Sequence, residues 1–369
     1  MNKPRTFAIV GGGLAGFTAY ATLRHGGLEP DEIAVFGTDS DPAAAWRRRA
    51  ASIRQRRMRS ESDGHCYPTS FPGLAVREAM RRRTPAPLVQ TIFDWYNPTV
   101  DDFLEHVAAL RERSGWDASF VHARVNRVRS VEGGFDLAGH GVFRHVLLAP
   151  GHPGLALPPE LAEDGRIVHA YEPHDYADHV AVVGAGMAAA TEWVNALAAG
   201  SSVVSVRRRE PERRPLNVPR EVFTRRGLAA FHARTPAERG ALLRSWLGPS
   251  YPPGRNWDEP IEQAAGAGRF RVAAEVDGAE QIVCATGFLR GYQHDPLLAR
   301  LVAENGLETV DGWIVLAPDS TVPALTDADR TLAVAGVPGQ LAFPAADTLA
   351  GAKYAGRRFL NRVRRWRTR

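Results

Sequence analysis

The sequence contains little cysteine, almost no lysine and no long apolar run. Its two cysteines, Cys66 and Cys284, lie far apart and form no C-x-x-C pair. This excludes a dithiol redox motif and a cysteine-rich zinc site, and we expect no metal site and no disulfide framework. No apolar run approaches the ~20 residues that a membrane span needs, so we expect no membrane partner. Because no signal-peptide pattern follows Met1, we expect a cytoplasmic protein.

Lysine occurs only at Lys3 and Lys353, so 44 of the 46 basic residues are arginine. The chain has 369 residues, of which 44% are apolar and 24% charged, as is typical of globular proteins. This length favours about two domains. The net charge of +5 is too dilute to indicate a nucleic-acid partner, and we expect none. The question that remains is whether any arginine cluster has a specific function.

A glycine-rich turn near the N-terminus follows a short apolar strand at 6–10 and begins a helix. Gly11, Gly13 and Gly16 fill the pattern G-x-G-x-x-G, and a second strand follows at 32–36. The first glycine allows the tight turn, the second lets a pyrophosphate approach the backbone, and the third lets helix and strand pack closely. The free N–H groups of the helix then face the phosphates. This βαβ unit predicts a dinucleotide site.

The acidic residue that usually follows this pattern, and binds the ribose, is missing. Gly37 stands at the end of the second strand, where an acid is expected about 20 residues after the glycines. Either Asp39 reaches the ribose hydroxyls, or backbone groups and water do so. We favour Asp39.

A second glycine pattern lies in the middle of the chain. Gly184, Gly186 and Ala189 form G-x-G-x-x-A between a predicted strand and a predicted helix, and the next strand spans 202–206. Two such patterns in one chain are far more specific than one. They predict two dinucleotides.

Three arginines, Arg207, Arg208 and Arg209, directly follow the second strand of this unit. An acid at this point would select NAD, whereas the guanidinium fork of arginine matches the 2′-phosphate of NADP. The alternative is a solvated run on an arginine-rich surface. We favour the phosphate interpretation.

With an FAD-type pattern first and an NADP-type pattern second, the chain resembles the class B flavoprotein monooxygenases: flavin-containing monooxygenases, Baeyer–Villiger enzymes and amino-acid N-hydroxylases. The segment 163–171 resembles their linker signature F-x-G-x-x-x-H-x-x-x-Y/F, although Glu163 replaces the aromatic residue and Tyr171 comes two positions early. The segments 147–154 and 285–288 are similar to the turns at which the chain leaves and re-enters the FAD domain.

The resemblance implies an α/β fold with two Rossmann-like dinucleotide-binding domains, the NADP domain being inserted in the FAD domain. The expected division is FAD domain 1–174, NADP domain 175–282, and the C-terminal part of the FAD domain 283–369. The resemblance also implies that FAD and NADPH are the cofactors. Beyond the two patterns and Asp39, the implied cofactor-binding residues are Trp46, Arg47, Thr286, Gly287, Gly336 and Ala345.

The implied reaction is the insertion of one oxygen atom of O2 into a small molecule through a C4a-(hydro)peroxyflavin, at nitrogen, at sulfur or as a Baeyer–Villiger oxidation. In the segment that lines the flavin's reactive edge in this family, Arg59 and Asp63 form a candidate catalytic pair and His65 a candidate proton donor or acceptor. The alternative is that these residues only position a loop. His169 resembles the signature histidine that links domain motion to the two sites.

Two other functions remain open at this point. One is an NADPH-dependent flavin oxidoreductase or dehydrogenase without oxygenation. The other is a catalytically degenerate flavin-binding protein, favoured by Gly37 and by the imperfect linker signature. Neither the substrate nor the oligomeric state follows from the sequence.

Overall fold

The structure is a computed structural model that describes residues 6–58, 74–92, 96–214, 216–276 and 278–367. The described residues form two five-stranded parallel sheets, the helices that pack on them and three small sheets. Among the described helices, none combines the length and the apolar composition needed to cross a membrane.

The strands were assigned in chain order. They are β1 (Phe7–Val10), β2 (Ile33–Gly37), β3 (Phe120–His122), β4 (Val128–Val131), β5 (Gly134–Leu137), β6 (Val142–Phe143), β7 (His145–Leu148), β8 (Ile167–His169), β9 (His179–Val183), β10 (Ser202–Val206), β11 (Glu212–Arg213), β12 (Ser250–Tyr251), β13 (Phe270–Ala273), β14 (Gln281–Cys284), β15 (Thr309–Val310), β16 (Trp313–Ile314) and β17 (Thr331–Val334).

The α-helices are named in the same way. They are α1 (Leu14–His25), α2 (Ala44–Ser52), α3 (Leu74–Arg82), α4 (Ala86–Ile92), α5 (Val100–Ser114), α6 (Trp116–Ser119), α7 (Met187–Ala198), α8 (Arg225–His232), α9 (Pro236–Trp246), α10 (Arg255–Gly266), α11 (Pro296–Asn305) and α12 (Leu349–Arg367).

The first sheet has the strand order β17-β7-β1-β2-β3, and all its strand pairs are parallel. Strand β1 is apolar at every position, and β7 is apolar at every position except His145, because both faces of the sheet are buried. Phe7 and Ile9 pack into the cluster formed with α1, α5 and α12. Ala8 and Val10 face the other way, toward the antiparallel sheet β4–β6 and helix α11. Because successive side chains of a strand point to opposite faces of the sheet, the domain has one hydrophobic layer on each face.

The second sheet has the order β13-β10-β9-β14-β8 and is also parallel throughout. Helices α7 and α10 cover one of its faces. All its strands lie in the chain between β7 and β17, which are neighbours in the first sheet. The predicted fold class, with one dinucleotide-type domain inserted in another, is therefore confirmed. The second sheet begins at β8, earlier than the expected boundary at 175, because β8 pairs with β14 at the sheet edge.

The two chain segments that cross between the domains pair with each other. Leu155 and Phe288 form an antiparallel bridge. The Ala156 N–H donates to the Gly287 carbonyl at 3.0 Å, and the Leu289 N–H donates to the Gly154 carbonyl at 3.0 Å. The inserted domain is therefore joined to the first by a short two-stranded connector.

The arginine- and proline-rich stretch 42–100 contains three helices in its described parts, α2, α3 and α4. The reason is that alanine and arginine are good helix formers, so α2 needs no apolar stripe to form. The segment 120–148 contains the antiparallel sheet β4–β6, while β3 and β7 join the first sheet.

Candidate functional site

A cavity of about 1430 Å³ lies at the carboxyl ends of the first sheet's strands. It is larger than the roughly 300–1,000 Å³ of a typical small-molecule pocket. It reaches the end of β1 at Val10, the end of β2 at Gly37, the turn after β7 at Gly151 and the turn after β17 at Gly336. Ligands of open α/β sheets bind at this edge.

The first glycine pattern forms the middle of the cavity wall. Gly11 has φ of 123°, and a side chain there would collide with the Ala149 carbonyl. A side chain at Gly16 would collide with the Gly11 carbonyl. At Gly13 a Cβ would meet nothing within 4 Å, and α1 begins there without a side-chain cap or an acidic residue in its first turn. Gly11 thus allows a tight turn and Gly16 allows close packing of helix and strand. At Gly13 there is open space in front of the free N–H groups of α1, and this space suits a pyrophosphate.

The missing acid at the end of β2 has a steric cause. A Cβ on Gly37 would lie 2.9 Å from the Gly12 Cα, so no acidic side chain fits at this position. Asp39 lines the cavity two residues later. Its carboxylate accepts a hydrogen bond from the Asp41 N–H at 3.1 Å and lies 3.6 Å from the Arg48 guanidinium. Contact between Asp39 and a ribose stays a prediction.

Helix α2 presents Trp46, Arg48 and Arg49 to the cavity. The Trp46 ring packs edge-on against Phe103, with ring centroids 4.9 Å apart. Arg47 lines a smaller cleft of about 290 Å³ and pairs with Asp41 at 2.8 Å, and its contact with the cofactor stays a prediction. Sequence reasoning missed Arg49, although it follows Trp46 by three positions and so shares its helical face.

The C-terminal segment completes the wall. Gly336, with φ of 76°, and the buried Ala345 both line the cavity. Helix α12 starts at the cavity, where the Thr348 hydroxyl accepts a hydrogen bond from the Gly351 N–H at 3.2 Å. Lys353 lies one turn further on, 9% exposed, and lines the same cavity. Sequence reasoning did not assign this lysine, although lysine is so rare in the chain.

The second glycine pattern has the same local geometry. Gly184 has φ of 132°, and a Cβ there would lie 2.6 Å from the Ala285 carbonyl oxygen. A Cβ on Gly186 would meet nothing within 4 Å, and α7 begins there without a side-chain cap. Ala189 is fully buried in the helix interface. The second unit therefore has its own open helix N-terminus.

The three arginines after β10 differ in their surroundings. The Arg207 side chain is 13% exposed, pairs with Glu210 at 2.9 Å and lies 5.6 Å from the centroid of the Trp193 ring. Arg208 and Arg209 are exposed. Arg207 is thus the least exposed of the three, whereas Arg208, which pairs with Glu160 at 2.6 Å, and Arg209 lie on the surface. Their contact with a 2′-phosphate stays a prediction.

Thr286 and Gly287 belong to the two-stranded connector. The Thr286 hydroxyl donates to the Ala156 carbonyl. The Gly287 carbonyl accepts from the Ala156 N–H, as described above. Both residues hold the two crossings together, and their contact with FAD stays a prediction.

Phe288, next in the chain, is the centre of a group that we call the Phe288 column: His152, Phe288, Tyr171 and His169, with Arg49 beside it. His152 stacks on Phe288 with ring centroids 4.0 Å apart, and Tyr171 stacks on Phe288 at 4.7 Å. His169 stacks on Tyr171 at 5.7 Å, and the Arg49 guanidinium carbon lies 4.6 Å from the Phe288 centroid. The column runs from the linker signature to the cavity.

Burial dominates the ionisation of these groups. It lowers the pKa of His169 and Arg49 and raises the pKa of Tyr171. Burial, reinforced by Arg49 and Arg290, lowers the pKa of His152 to about 4. Both histidines of the column are therefore neutral at pH 7.

A buried polar cluster holds α7 against the first domain. The fully buried Glu192 carboxylate accepts from the Tyr176 hydroxyl at 2.8 Å and pairs with His174 Nε2 at 2.9 Å. The Asn195 side chain of the same helix donates to the Ile53 carbonyl at 2.8 Å. The helix of the second glycine pattern is thereby tied to the end of α2.

The predicted catalytic residues Arg59, Asp63 and His65 lie outside the described residues, as does Cys66. Within the described ranges, no group of three or more histidine, cysteine or acidic side chains is arranged to hold a metal ion. The only described cysteine is buried, and its burial raises the pKa of the Cys284 thiol to about 11.

No protein-family model matches the sequence, and no curated protein matches it in sequence. Several solved structures are similar in fold. The ornithine N-hydroxylase KtzI of Kutzneria sp. 744 superposes with a TM-score of 0.73 at 14% identity over 100% of both chains. The reduced ornithine hydroxylase PvdA of Pseudomonas aeruginosa superposes with a TM-score of 0.69 at 16% identity, over 98% of this chain and 100% of PvdA. The bacillithiol disulfide reductase Bdr of Bacillus cereus superposes with a TM-score of 0.57 at 14% identity, over 98% of this chain and 100% of Bdr.

These similarities establish the fold, including the arrangement of two dinucleotide-type domains that the sequence resemblance implies. Because hydroxylases and a disulfide reductase share it, the fold alone does not select the reaction. The choice depends on the site.

The His174–Glu192 pair predicts a pH-dependent stability. Burial opposes the charge on His174, but the hydrogen bonds to Glu192 and to the Glu172 carbonyl outweigh it and raise the pKa of His174. A raised pKa in the folded state adds stability below the unfolded-state pKa of about 6.5, and this stability is lost as the pH rises through the folded-state value. The wild type should therefore have a higher free energy of unfolding than His174→Gln. This difference should be largest near pH 6 and smaller near pH 9.

Urea unfolding of both proteins across this pH range measures the difference. Replacement of the exposed His25 by glutamine is the control and should leave the pH profile unchanged. A difference between wild type and His174→Gln that is constant with pH would contradict the ion pair.

Proposed function

We propose that the protein is an FAD-dependent, NADPH-using monooxygenase that transfers one oxygen atom of O2 to a small molecule. The observation that carries this proposal is the pair of uncapped helix N-termini, each with open space at its second glycine, Gly13 and Gly186. One of them faces the large cavity. A protein with two dinucleotide sites and one such cavity has the parts needed to pass electrons from NADPH to a bound flavin.

FAD fits the first site. The space before Gly13 suits its pyrophosphate, and the end of β2 with Asp39 suits the adenosine ribose. The flavin half then extends in the opposite direction along the sheet, over the ends of β7 and β17. There the cavity is bounded by His152, Gly336 and the start of α12.

Bound flavin would supply the electron transfer and the activation of O2. The chain's own residues would bind and orient it. The N-terminus of α12 directs its positive dipole end into the cavity, and Lys353 and Arg49 add positive charge to the wall. These groups favour a negatively charged flavin, while the apolar residues around them exclude water.

NADPH is assigned to the second site. Gly184, Gly186 and the N-terminus of α7 suit its pyrophosphate, and Arg207, Arg208 or Arg209 suits its 2′-phosphate. Of the three, Arg207 is the least exposed.

Oxygen transfer to nitrogen, to sulfur or into a ketone is favoured over simple reduction. Two of the solved structures with the same fold are ornithine hydroxylases. The sequence also lacks the C-x-x-C pair of a dithiol reductase. We assign catalytic roles to Arg59, Asp63 and His65 on the resemblance alone. A cytoplasmic role in specialised metabolism fits this assignment.

The two glycine positions provide matched tests of the cofactor sites. Gly13→Val and Gly186→Val each place a side chain where the protein leaves open space, so both variants should fold normally. Gly13→Val should weaken FAD binding by at least about tenfold and leave NADP⁺ binding to flavin-loaded protein intact. Gly186→Val should do the reverse.

Titration of the apoprotein with FAD measures the Kd for FAD. Titration of the flavin-loaded protein with NADP⁺ then measures the Kd for NADP⁺. Each variant is the control for the other. Loss of both ligands in either variant, or of neither, would contradict the assignment of one dinucleotide to each site.

The arginine run predicts the choice between the nicotinamide cofactors. Alanine at the position that binds the 2′-phosphate removes a charge-assisted contact made only by NADPH, so the KM for NADPH should rise much more than the KM for NADH. Steady-state flavin reduction by each cofactor, with Arg207, Arg208 and Arg209 replaced singly, measures this. If the KM for NADPH and the KM for NADH changed equally in all three variants, the assignment of the 2′-phosphate to this arginine run would be contradicted.

The reaction itself is tested with purified, flavin-loaded protein. After reduction by NADPH, small amines, sulfides and ketones are offered together with oxygen-18-labelled O2, and products are examined by mass spectrometry. A monooxygenase should place labelled oxygen in one substrate class, with NADPH consumed in step with product. Quantitative hydrogen peroxide with every class would favour the flavin oxidoreductase, and a protein that binds no flavin would favour the degenerate scaffold.

A further inference from the structure

One histidine of the cavity wall was given no role by the sequence. His152 lies in the turn after β7, three residues beyond Ala149, whose carbonyl packs against Gly11. In the first sheet β7 lies on the opposite side of β1 from β2. If the adenosine half of a dinucleotide lies over β2, His152 is on the side of the flavin half.

The imidazole of His152 has an unsatisfied hydrogen-bonding atom. Its Nδ1 is buried and has no hydrogen-bond partner among the described residues. A buried polar atom without a partner is costly, and such atoms are uncommon in folded proteins. Since the ring also lines the cavity, a ligand there is the natural source of the missing partner.

The ring is held in a fixed orientation. It stacks on Phe288 at 4.0 Å with an interplanar angle of 23°. Phe288 is in turn held by Tyr171, stacked at 4.7 Å, and by the Arg49 guanidinium at 4.6 Å. Because both neighbours of Phe288 come from other segments of the chain, Phe288 is fixed, and its stacking sets the plane of the imidazole.

The surroundings of His152 also fix its charge. Arg49 approaches from α2 and Arg290 from the segment after β14, and both oppose protonation of the imidazole. Further along the Phe288 column, beyond Phe288, are Tyr171 and His169, and burial disfavours the charged form of both. Together with burial the two arginines lower the pKa of His152 to about 4, so the ring stays neutral at physiological pH.

We propose that His152 is a flavin-contacting residue, which uses its buried Nδ1 to hydrogen-bond the ring of bound FAD as a neutral imidazole. The positive charge on this side of the cavity is then carried by Arg49 and not by the histidine. This inference rests on the proposed function, because it needs FAD in the first site.

A pair of substitutions separates the hydrogen bond from the packing. His152→Phe keeps an aromatic ring that can stack on Phe288 but removes both nitrogens. His152→Asn gives up the stacking but retains a polar group near the position of Nδ1. FAD binding to the apoproteins is measured by fluorescence titration, and circular dichroism confirms that each variant is folded. His25→Gln, which changes an exposed histidine outside the cavity, is the control.

The expected result is that His152→Phe raises the Kd for FAD about fivefold to tenfold, the effect of one lost hydrogen bond. His152→Asn should stay within about twofold of the wild type, as should His25→Gln. A purely structural role would give the opposite order, since the phenylalanine variant keeps the stacking and the asparagine variant does not.

A second measurement uses the unaltered protein. In nitrogen-15 spectra of histidine-labelled protein, the His152 signals are those absent from His152→Phe. At pH 6.5 they should have the shifts of a neutral ring, and the Nδ1 signal should move when FAD is added. An Nδ1 signal unaffected by FAD, or a His152→Phe variant that binds FAD as tightly as the wild type, overturns this inference alone. A wild type that binds no FAD overturns the proposed function and the inference together.

Discussion

The close approach of backbone to backbone at the two glycine turns is the constraint on which the rest of the structure depends. At Gly11 and Gly16 the strand, the turn and the helix come so near that no side chain fits, and Gly37 meets Gly12 in the same way. The second domain repeats this contact between Gly184 and Ala285. Because the helices must start at these turns, their free N–H groups are directed to the open edge of each sheet.

The two domains are joined by side-chain contacts as well as by the two chain segments that cross between them. The Phe288 column begins at the linker signature with His169 and ends at the cavity with His152 and Arg49. The cluster around Glu192 joins the helix of the second glycine pattern to α2, which carries Arg49. Side chains that line the cavity of the first domain are therefore in contact, through these two groups, with the linker and with the second domain.

The parts of the site that the sequence predicts are those set by local structure. The glycine patterns, the strands around them and the absence of an acid at Gly37 can be read directly, because turn geometry depends on a few adjacent residues. The side of α2 that faces the cavity was less predictable. Its alanine and arginine residues have no apolar periodicity to show which arginines point inward, so Arg49 was not recognised as part of the cavity wall. His152 and Lys353 went unrecognised because their positions depend on contacts between distant segments.

The insertion of one domain into the other has a consequence for how the chain folds. β17 is the partner of β7, and α12 packs on α1, where a Cβ on Gly356 would lie only 2.9 Å from the Ala19 Cα. The first domain thus cannot complete its sheet or its helical layer until β17 and α12 have been made. The second domain is continuous in sequence and can form earlier. During synthesis the inserted domain can therefore form before the one that surrounds it, while this edge of β7 stays unpaired until β17 has been made.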